Sequence, residues 1–539
     1  MAKKNSNTLV KNASFLMAAA LISKIIGMLY KSPLSNILGG SSYALFQYAQ
    51  NAYFILLMIA SFSIPQAVSK VMAEKLAFHR YRDAQKVFRC SLLYAVAAGG
   101  AVALFCVFGA SIMVPDSMAD ARLALRFLAP TIFLSGILGV FRGYFQAYRN
   151  MMPTSLSQIL EQIFVAVIAL VMAGFMTRRF ASQGQQAMQR WGAAGATMGT
   201  GAGVASALIF MVLVYWLNRR SISEKIRTDS ASLDEPTSVV MREIILIIMP
   251  IILSAFIYNV NGFINSYMYS GILGMKGSDP EMIKNLYAEY GYYGTLINIP
   301  LTLASTAPTS MIPEVSAHYA RHDLEGARRK IDRATWISMF ISIPSAVGLG
   351  VLAGPITRLI FSGTNGVGGE LMLLGVITII LNGNSNISNG VLQGIGKPNI
   401  PMINAAISLV ADVIIMGILL AVTDLGIYTI VIAMIVYSVV MCVLNDIALK
   451  KHLEYTNPWN MAYLSPSLAS VPMALAAGLV YYLLYRLTGR NFISLLPALV
   501  LAIVVYLFFY LWISRPTEEE LLMMPGGRYL ARIAGKFLR

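Results

Sequence analysis

Long apolar stretches recur along the whole chain, and they restrict its fold more than any other feature. Each is about 20 residues long, enough for a helix to cross roughly 30 Å of hydrocarbon. They lie at 12–31, 44–69, 90–114, 122–147, 156–177, 192–217, 243–271, 286–312, 334–354, 369–392, 400–421, 426–449, 462–485 and 492–514. The pattern predicts an all-α polytopic membrane protein with about fourteen transmembrane helices.

The composition excludes several other classes of protein. Only 12% of the 539 residues are charged, and the mean hydropathy is +0.66, whereas soluble proteins carry about 25% charged residues. The three cysteines lie in apolar stretches without a CxxC pair or a Cys/His cluster, so neither a metal site nor a disulfide framework is indicated. No phosphate-binding GxxxxGK[ST] motif occurs, which argues against ATP as the direct energy source.

The net charge of +16 follows the predicted topology. With the N-terminus inside, Lys and Arg favour the inside connections over the outside ones by roughly three to one, as the positive-inside rule requires. We therefore expect a multi-pass membrane protein with both termini in the cytoplasm. The first apolar stretch lacks a small-residue cleavage site and is interpreted as a retained helix. Attraction to anionic membrane lipids, rather than to nucleic acid, accounts for the basic excess.

Two pairs of matching segments indicate an internal duplication. Gly143 and Gln146 match Gly390 and Gln393 at a spacing of 247 residues, and each segment continues through a basic residue and a proline into another apolar stretch. A second set matches at a spacing of 243, pairing Pro65, His79, Ala84 and Lys86 with Pro308, His322, Ala327 and Arg329. Two parallel six-helix lobes related by an axis along the membrane normal are predicted, an arrangement typical of alternating-access transporters.

The duplication sets the predicted domain organisation. The N-terminal lobe covers 1–217, a charged cytoplasmic linker 218–242, and the C-terminal lobe 243–452. The last two spans, in 453–514, lie outside the repeat. Residues 515–539 are predicted to form a cytoplasmic basic tail, as an amphipathic helix on the membrane surface or as a frayed segment.

Ionisable residues inside spans are costly, and they usually face protein or water. Lys24 lies in the first span, Arg126 and Arg142 near the two ends of the fourth, Glu161 early in the fifth and Asp412 in the eleventh. Each also has an alternative to a role in the cavity. Arg142 and Glu161 could form a structural ion pair, and the side chain of Arg126 could reach the outer membrane surface.

The polar residues of the spans extend this set into two candidate sites. The residues predicted to line a substrate cavity are Lys24, Lys31, Gln47, Asn51, Arg126, Arg142, Glu161, Asn261 and Asn298. The ion-coupling candidates are Asp412, Asn404, Ser408 and Asn259, because Asn404 and Ser408 precede Asp412 on one helical face. They would bind Na⁺ or H⁺; the alternatives are a structural Asp and plain interhelical hydrogen bonds. No cofactor and no other metal site is expected.

Particular motifs resemble a known family. The stretch Arg142-Gly143-Tyr144-Phe145-Gln146, followed by Pro153-Thr154 and by Ser157 to Gln162, is similar to the stage V sporulation protein B family of polysaccharide transporters, as is the tail from Thr517 to Pro525. That family, which includes the MurJ-type lipid II flippases of Gram-positive bacteria, belongs to the multidrug/oligosaccharidyl-lipid/polysaccharide exporter superfamily. The resemblance covers essentially the whole chain.

The resemblance implies two lobes around a cationic cavity, with a lipid-tail groove formed by spans 13 and 14. Lys24 falls where the first helix of MurJ-type proteins carries a basic residue. This chain departs from the pattern elsewhere: Tyr30-Lys31 replaces an Arg-Asp pair, Thr295 occupies the place of an arginine in span 8, and an arginine of span 2 is missing.

These observations predict a transporter rather than an enzyme. The expected function is export of a polyprenyl-diphosphate-linked sugar, with peptidoglycan lipid II as the first candidate, driven by the membrane potential, an ion gradient or both. The partners would be the glycolipid and membrane lipids, and a monomer is expected. The alternatives are a flippase for a capsule, teichoic acid or exopolysaccharide precursor and a cation-coupled multidrug antiporter. A ligase or polymerase of polyprenyl-linked sugars fits less well, because the outside loops are short.

Overall fold

The computed structural model describes Ala19, residues 21–516 and Leu521, apart from the side chains of residues 306–310. Contacts divide the chain into two compact units, Met1–Ala288 and Glu289–Arg539. The first unit contains α1 (21–29), α2 (Lys31–Leu57), a π-helical segment (Met58–Phe62), α3 (Ile64–Ala77), α4 (Tyr81–Phe108), α5 (Ala110–Met113), α6 (Ala121–Phe127), α7 (Ala129–Ala147), α8 (Met152–Phe180), α9 (Gln185–Leu217), α10 (Arg219–Arg227) and α11 (Thr237–Met275).

The division between the units falls inside α12 (Pro280–Ala320). The second unit continues with α13 (Leu324–Val351), α14 (Ala353–Ile360), α15 (Val367–Gly375), α16 (Ile377–Gly394), α17 (Asn399–Val422), α18 (Tyr428–Leu453), a second π-helical segment (Trp459–Leu464), α19 (Ser465–Thr488) and α20 (Asn491–Ser514). Short 3₁₀ turns cover Asp116–Met118 and Ala181–Gln183. Within the described residues there is no β-strand, so the predicted all-α class is confirmed.

The number of membrane-spanning helices is close to the prediction but does not confirm it. Across the described residues, eleven helices are long and apolar enough to cross a membrane, and twelve if the bent pair α15–α16 counts as one span. One of the eleven, Leu21–Ala77, contains the second predicted span and the part of the first that begins at Leu21. The count of fourteen is therefore not confirmed. The lobe boundaries predicted at 217 and 242 remain predictions.

The first span ends later than predicted. The helix runs on past residue 31 and is interrupted at Gly39, whose φ of 72° and ψ of 170° are open mainly to glycine. Along this stretch, Gly27 lies against Gln162 and Ile37 against Gly174 of α8. Lys31 is thereby placed opposite about the middle of α8, although the predicted first span ended at this residue. Lys24 lies nearer the end where α8 begins.

Matching turns support the predicted duplication. His79 and His322, which are 243 residues apart, both have a left-handed φ near 58°, and both end a helix with the same pair of backbone hydrogen bonds. Arg149 and Gly396, 247 residues apart, repeat this motif at the end of the next matching segment. These are αL helix C-caps of the Schellman type. Each unit therefore turns its chain in the same way at equivalent positions.

Each unit has its own buried core. In the first unit, the ring of Phe88 packs against those of Phe141, Tyr144 and Tyr215 at centroid distances of 4.8–5.4 Å. In the second unit, Trp336 of α13 donates a hydrogen bond from Nε1 to the Tyr510 hydroxyl of α20 at 2.6 Å. The last predicted span thus packs on α13 through a buried aromatic contact.

The predicted linker is an ordered part of the first unit. Asp229 accepts a hydrogen bond from the Arg82 backbone N–H at 2.7 Å, and the Leu233 N–H donates to the buried Asp83 carboxylate at 2.9 Å. Glu235 forms ion pairs with Lys75 and Arg80. The connection is therefore fastened to the turn between α3 and α4. The predicted basic tail at 515–539 lies outside the described residues, except for Arg515, Pro516 and Leu521.

Candidate functional site

Two lysines share one face at α1: Lys24 lies within this helix, and Lys31 is the first residue of α2, directly after it. We call this the lysine face of α1. Lys24 and Lys31 lie three residues before and four residues after Gly27, which is the spacing of one helical face, and Gly27 contacts α8. Lys24 is exposed and Lys31 is half-buried. Neither forms an ion pair with any residue that the structure describes. Two lysine side chains without a carboxylate partner among the described residues therefore lie along this face.

The predicted ion pair between Arg142 and Glu161 is confirmed. Nη2 of Arg142 lies 2.7 Å from Oε2 of Glu161, and its Nε donates to the Ser157 hydroxyl at 3.0 Å. Both side chains are mostly buried. The hairpin of α7 and α8 brings them together, because the turn at Arg149 folds the two helices back on each other. The pair compensates its own charge, so it adds no net positive charge to the site.

This pair lines a cavity of about 410 Å³ inside the first unit. The π-helical segment, α3, α7, α8 and α9 form its walls. Besides Arg142 and Glu161, its polar lining includes Gln66, Gln146 and Gln158. We call it the glutamine cavity. These three glutamines were not among the predicted cavity residues. Gln146 and Gln158 do lie in the stretch that resembles the known family, which was the available signal.

Two polar residues of α2 make contacts within the first unit. The Asn51 amide donates to the Tyr287 hydroxyl at 2.8 Å and to the Ser266 hydroxyl at 3.3 Å. Gln47 bonds to Tyr43, one turn earlier in its own helix. Asn51 therefore connects α2 to α11 and to the start of α12. These contacts are structural, and its role in substrate binding stays a prediction.

The other predicted polar residues are exposed or half-buried, and their hydrogen bonds go to nearby backbone oxygens. Arg126 is exposed, and its Nε donates to the backbone oxygen of Val107 at 3.2 Å, near the end of α4. Asn259 and Asn298 are exposed, and each bonds to a backbone oxygen four residues earlier in its own helix. Asn261 is half-buried. None of these four lines the glutamine cavity.

The ion-coupling candidates of α17 share one buried face of the second unit, as predicted. Asp412 and Ser408 are completely buried, and Asn404 is 8% exposed. The Asn404 amide donates to Asn445 at 2.9 Å, and Asn445 donates in turn to Asn389 at 2.8 Å. This chain of three amides was not predicted, since Asn445 comes from α18. Within the described part of the chain, no three His, Cys, Asp or Glu side chains are grouped to hold a metal ion.

A buried charged cluster in the first unit was also missed. Nζ of Lys284, a residue only 5% exposed, lies 3.2 Å from Asp120 and 3.1 Å from Glu281. Glu281 also accepts hydrogen bonds from Ser41 and Gln189. The cluster fixes the start of α12 to α2 and α9. The i, i+3 spacing of Glu281 and Lys284 was the available signal, but the residues precede the predicted span and were assigned to a loop.

A second acid was missed in the second unit. Glu289, 2% exposed, accepts hydrogen bonds from the Thr364 hydroxyl at 2.6 Å and from the backbone N–H groups of Asn365 and Gly368 at 2.7 Å. These donors lie at the start of α15, where unpaired N–H groups favour a carboxylate. Glu289 is therefore explained as a helix cap rather than as a transport group.

Comparison with protein families gives two matches. The family described as polysaccharide biosynthesis protein matches residues 9–319, which is more than half of the chain. The MatE family matches residues 288–418, a stretch that includes Asp412.

Individual relatives agree with these families. The chain is 23% identical to the lipid II flippase MurJ of Bacillus subtilis (strain 168) over 76% of this chain and 77% of that protein. It is 22% identical to stage V sporulation protein B of the same organism over 82% and 84% of the two chains. A solved structure of a lipid II flippase MurJ in an inward closed conformation matches with a TM-score of 0.66 at 16% identity, over 93% of this chain and 98% of that one. The chain is a multi-pass membrane protein that belongs to the polysaccharide biosynthesis protein family, within the multidrug/oligosaccharidyl-lipid/polysaccharide exporter superfamily.

Proposed function

We propose that this protein is a flippase that exports a polyprenyl-diphosphate-linked sugar from the inner to the outer leaflet of the bacterial cytoplasmic membrane. Peptidoglycan lipid II is the first candidate substrate, because one relative is named a lipid II flippase. The observation that carries the proposal is the lysine face of α1, on which Lys24 and Lys31 have no acidic partner among the described residues.

The chemistry of the substrate suits such a face. A diphosphate carries about two negative charges, which are costly to place in hydrocarbon. Uncompensated lysines in a wet passage offset that cost, and the polyprenyl tail stays in lipid. Moving anionic charge outward gains about 2.3 kcal/mol per charge per 100 mV of inside-negative potential. We therefore propose the membrane potential as a driving force for export by alternating access.

The buried face of α17 is proposed to bind a coupling ion. Asp412, Asn404 and Ser408 offer a carboxylate, an amide and a hydroxyl on one helix face. Oxygen ligands of this kind suit Na⁺, and a carboxylate alone suits H⁺. Release of that ion on one side of the membrane would return the protein to its starting conformation.

The experiment is headgroup flipping in proteoliposomes. The purified protein is reconstituted with fluorescent lipid II, an inside-negative potential is imposed, and headgroup exposure is measured with an impermeant quencher. We expect potential-dependent flipping by the unaltered protein and its loss in Lys24→Ala, with unchanged thermal unfolding. Unimpaired flipping in Lys24→Ala would remove the argument from the lysine face. Flipping of a teichoic acid or capsule precursor, but not of lipid II, would change the substrate and keep the mechanism.

The second candidate is a cation-coupled multidrug antiporter, and a specific observation favours it: the MatE match covers the segment that contains Asp412. An antiporter of cationic drugs would need acidic groups facing its substrate. The lysine face of α1 carries the opposite charge. Cation-driven efflux of an organic cation from the same proteoliposomes, without flipping of any polyprenyl lipid, would support this candidate.

A further inference from the structure

The glutamine cavity presents uncharged hydrogen-bonding groups beside a compensated ion pair. Gln66, Gln146 and Gln158 line it together with Arg142 and Glu161. Because the carboxylate of Glu161 neutralises the guanidinium of Arg142 at 2.7 Å, the site offers no net positive charge. A diphosphate would gain little from Arg142 and would be repelled by Glu161. The cavity therefore favours a polar ligand without net charge.

Several atoms of the cavity lack partners in the described part of the chain. Oε1 of Gln158 is buried and accepts no hydrogen bond there. Nη1 of Arg142 and Oε1 of Glu161 also have none, since the contacts of these side chains use Nε, Nη2 and Oε2. For the buried oxygen of Gln158, the missing partner costs about 1–3 kcal/mol. The cavity thus presents both a donor and acceptors to a ligand that carries both kinds of group.

The wall of the cavity contains an irregular helix. The π-helical segment Met58–Phe62 contributes Ser61 and Phe62 to the lining. Such segments are rare, and they occur frequently at functional sites. At the equivalent position of the second unit, 243 residues later, residues 301–305 are α-helical. The π-helical segment beside the cavity is therefore not repeated at the matching position of the second unit.

We propose that the glutamine cavity binds a sugar residue of the transported glycan through its hydroxyl and amide groups. This inference rests on the proposed function. A sugar supplies hydroxyl donors to Gln158 and Glu161 and an acceptor to Arg142, and an N-acetyl group adds one donor and one acceptor. The volume of about 410 Å³ lies in the range of small-molecule sites. The lysine face holds the diphosphate, and the glutamine cavity recognises what the diphosphate carries.

The test compares two lipids that differ only in the sugar. Undecaprenyl diphosphate and undecaprenyl diphosphate N-acetylglucosamine are titrated against the full-length protein in detergent, and binding is measured by thermophoresis. In Gln158→Leu we expect about a tenfold loss of affinity for the sugar-bearing lipid, the equivalent of one buried hydrogen bond. Affinity for the bare diphosphate lipid should stay unchanged. Gln66→Leu, at an exposed position on another helix, should act in the same direction if Gln158→Leu fails to fold.

The controls separate this inference from the proposed function. Ile163→Ala, an exposed position on α8, should bind both lipids normally. Lys31→Ala should weaken both lipids equally. Equal loss for both lipids in Gln158→Leu, or no loss, would overturn the sugar subsite and leave the flippase proposal standing. If the unaltered protein binds neither lipid, the proposed function fails and the subsite with it. Competition by free N-acetylglucosamine at millimolar concentration would support the same sugar chemistry without the lipid.

Discussion

The two repeats have the same turns but different buried chemistry. Arg142 and Glu161 of the first unit correspond, at a spacing of 247, to Asn389 and Ser408 of the second. The first pair is an ion pair at 2.7 Å, whereas Asn389 bonds through Asn445 to its neighbours in a chain of amides. The backbone of the duplicated unit therefore accommodates either an ion pair or a chain of amides. What differs is the charge that each unit carries inside.

At one further pair of equivalent positions, an apolar side chain in the first unit corresponds to an acidic one in the second. Val165 of α8 packs against Gly203, where a Cβ would lie 2.4 Å from Cγ2 of the valine. The equivalent residue of α17 is Asp412, which is completely buried. The acid of the second unit thus corresponds to an apolar contact in the first, rather than to Glu161. The shared backbone therefore accommodates either an apolar side chain or a buried carboxylate at this position.

The largest effect is expected when the acid is placed in the first unit. Val165→Asp buries a carboxylate against Gly203, and a charged group at such depth costs about 3 kcal/mol. We expect little folded protein in detergent, as measured by size-exclusion chromatography and thermal unfolding. The matched control Val165→Ala should lose about 1–2 kcal/mol. Equal stability of the two variants would show that position 165 is hydrated. The first unit could then hold a carboxylate there as readily as the second unit holds Asp412.

Breaking the ion pair of the first unit should cost less. Arg142→Asn introduces the residue of the second unit and leaves Glu161 uncompensated, which should destabilise the protein by roughly 2 kcal/mol, below the value for fully buried pairs. Adding Glu161→Ser completes the exchange and should restore at least half of the loss. Thermal unfolding of the single and double variants measures this. A double variant no more stable than the single one would mean that the loss does not come from an uncompensated Glu161 carboxylate.

The amide chain of the second unit should contribute as much as the ion pair, or less, to the free energy of unfolding. Asn445→Ala removes the shared partner of Asn389 and Asn404, and leaves both with an unsatisfied amide group. We expect a loss of about 1.5 kcal/mol in thermal unfolding. Val443→Ala, at an exposed position of the same helix, is the control and should change stability little. A loss no greater than that of the control would show that the amides are solvated.

The smallest effect concerns the linker and depends on pH. Hydrogen bonds from Lys75 and Arg80 hold the pKa of Glu235 below its usual value. Carboxylates with a lowered pKa stabilise the folded state above their unfolded pKa of about 4, and this contribution is lost as the pH falls through the folded pKa.

Hydrogen exchange of the linker measures this effect. Protection of residues 229–236 should fall as the pH is lowered from about 5 to 3, after correction for the intrinsic exchange rate. Protection of the linker that does not depend on pH would contradict the role of its ion pairs.

Much of the fold could be predicted from the sequence, because hydrophobic length and repeat spacing are local signals. The contact of Arg142 with Glu161 was also predictable, since the two residues flank one helical hairpin. The register between α17 and α18, which brings Asn445 to Asn404, depends on packing that no local pattern encodes. The break at Gly39 was missed for a related reason: a single glycine inside an apolar stretch does not reveal a left-handed backbone conformation.

The central claim is that the first unit carries the anionic headgroup and the second unit the coupling ion. The most direct measurement is the initial rate of lipid II flipping in proteoliposomes, as a function of imposed potential and of the Na⁺ and H⁺ gradients. We predict that Lys31→Ala abolishes flipping at every potential, whereas Asp412→Asn still flips under an imposed potential and no longer responds to either gradient. Flipping that persists in Lys31→Ala, or an unchanged response to the gradients in Asp412→Asn, would contradict the division of roles between the two units.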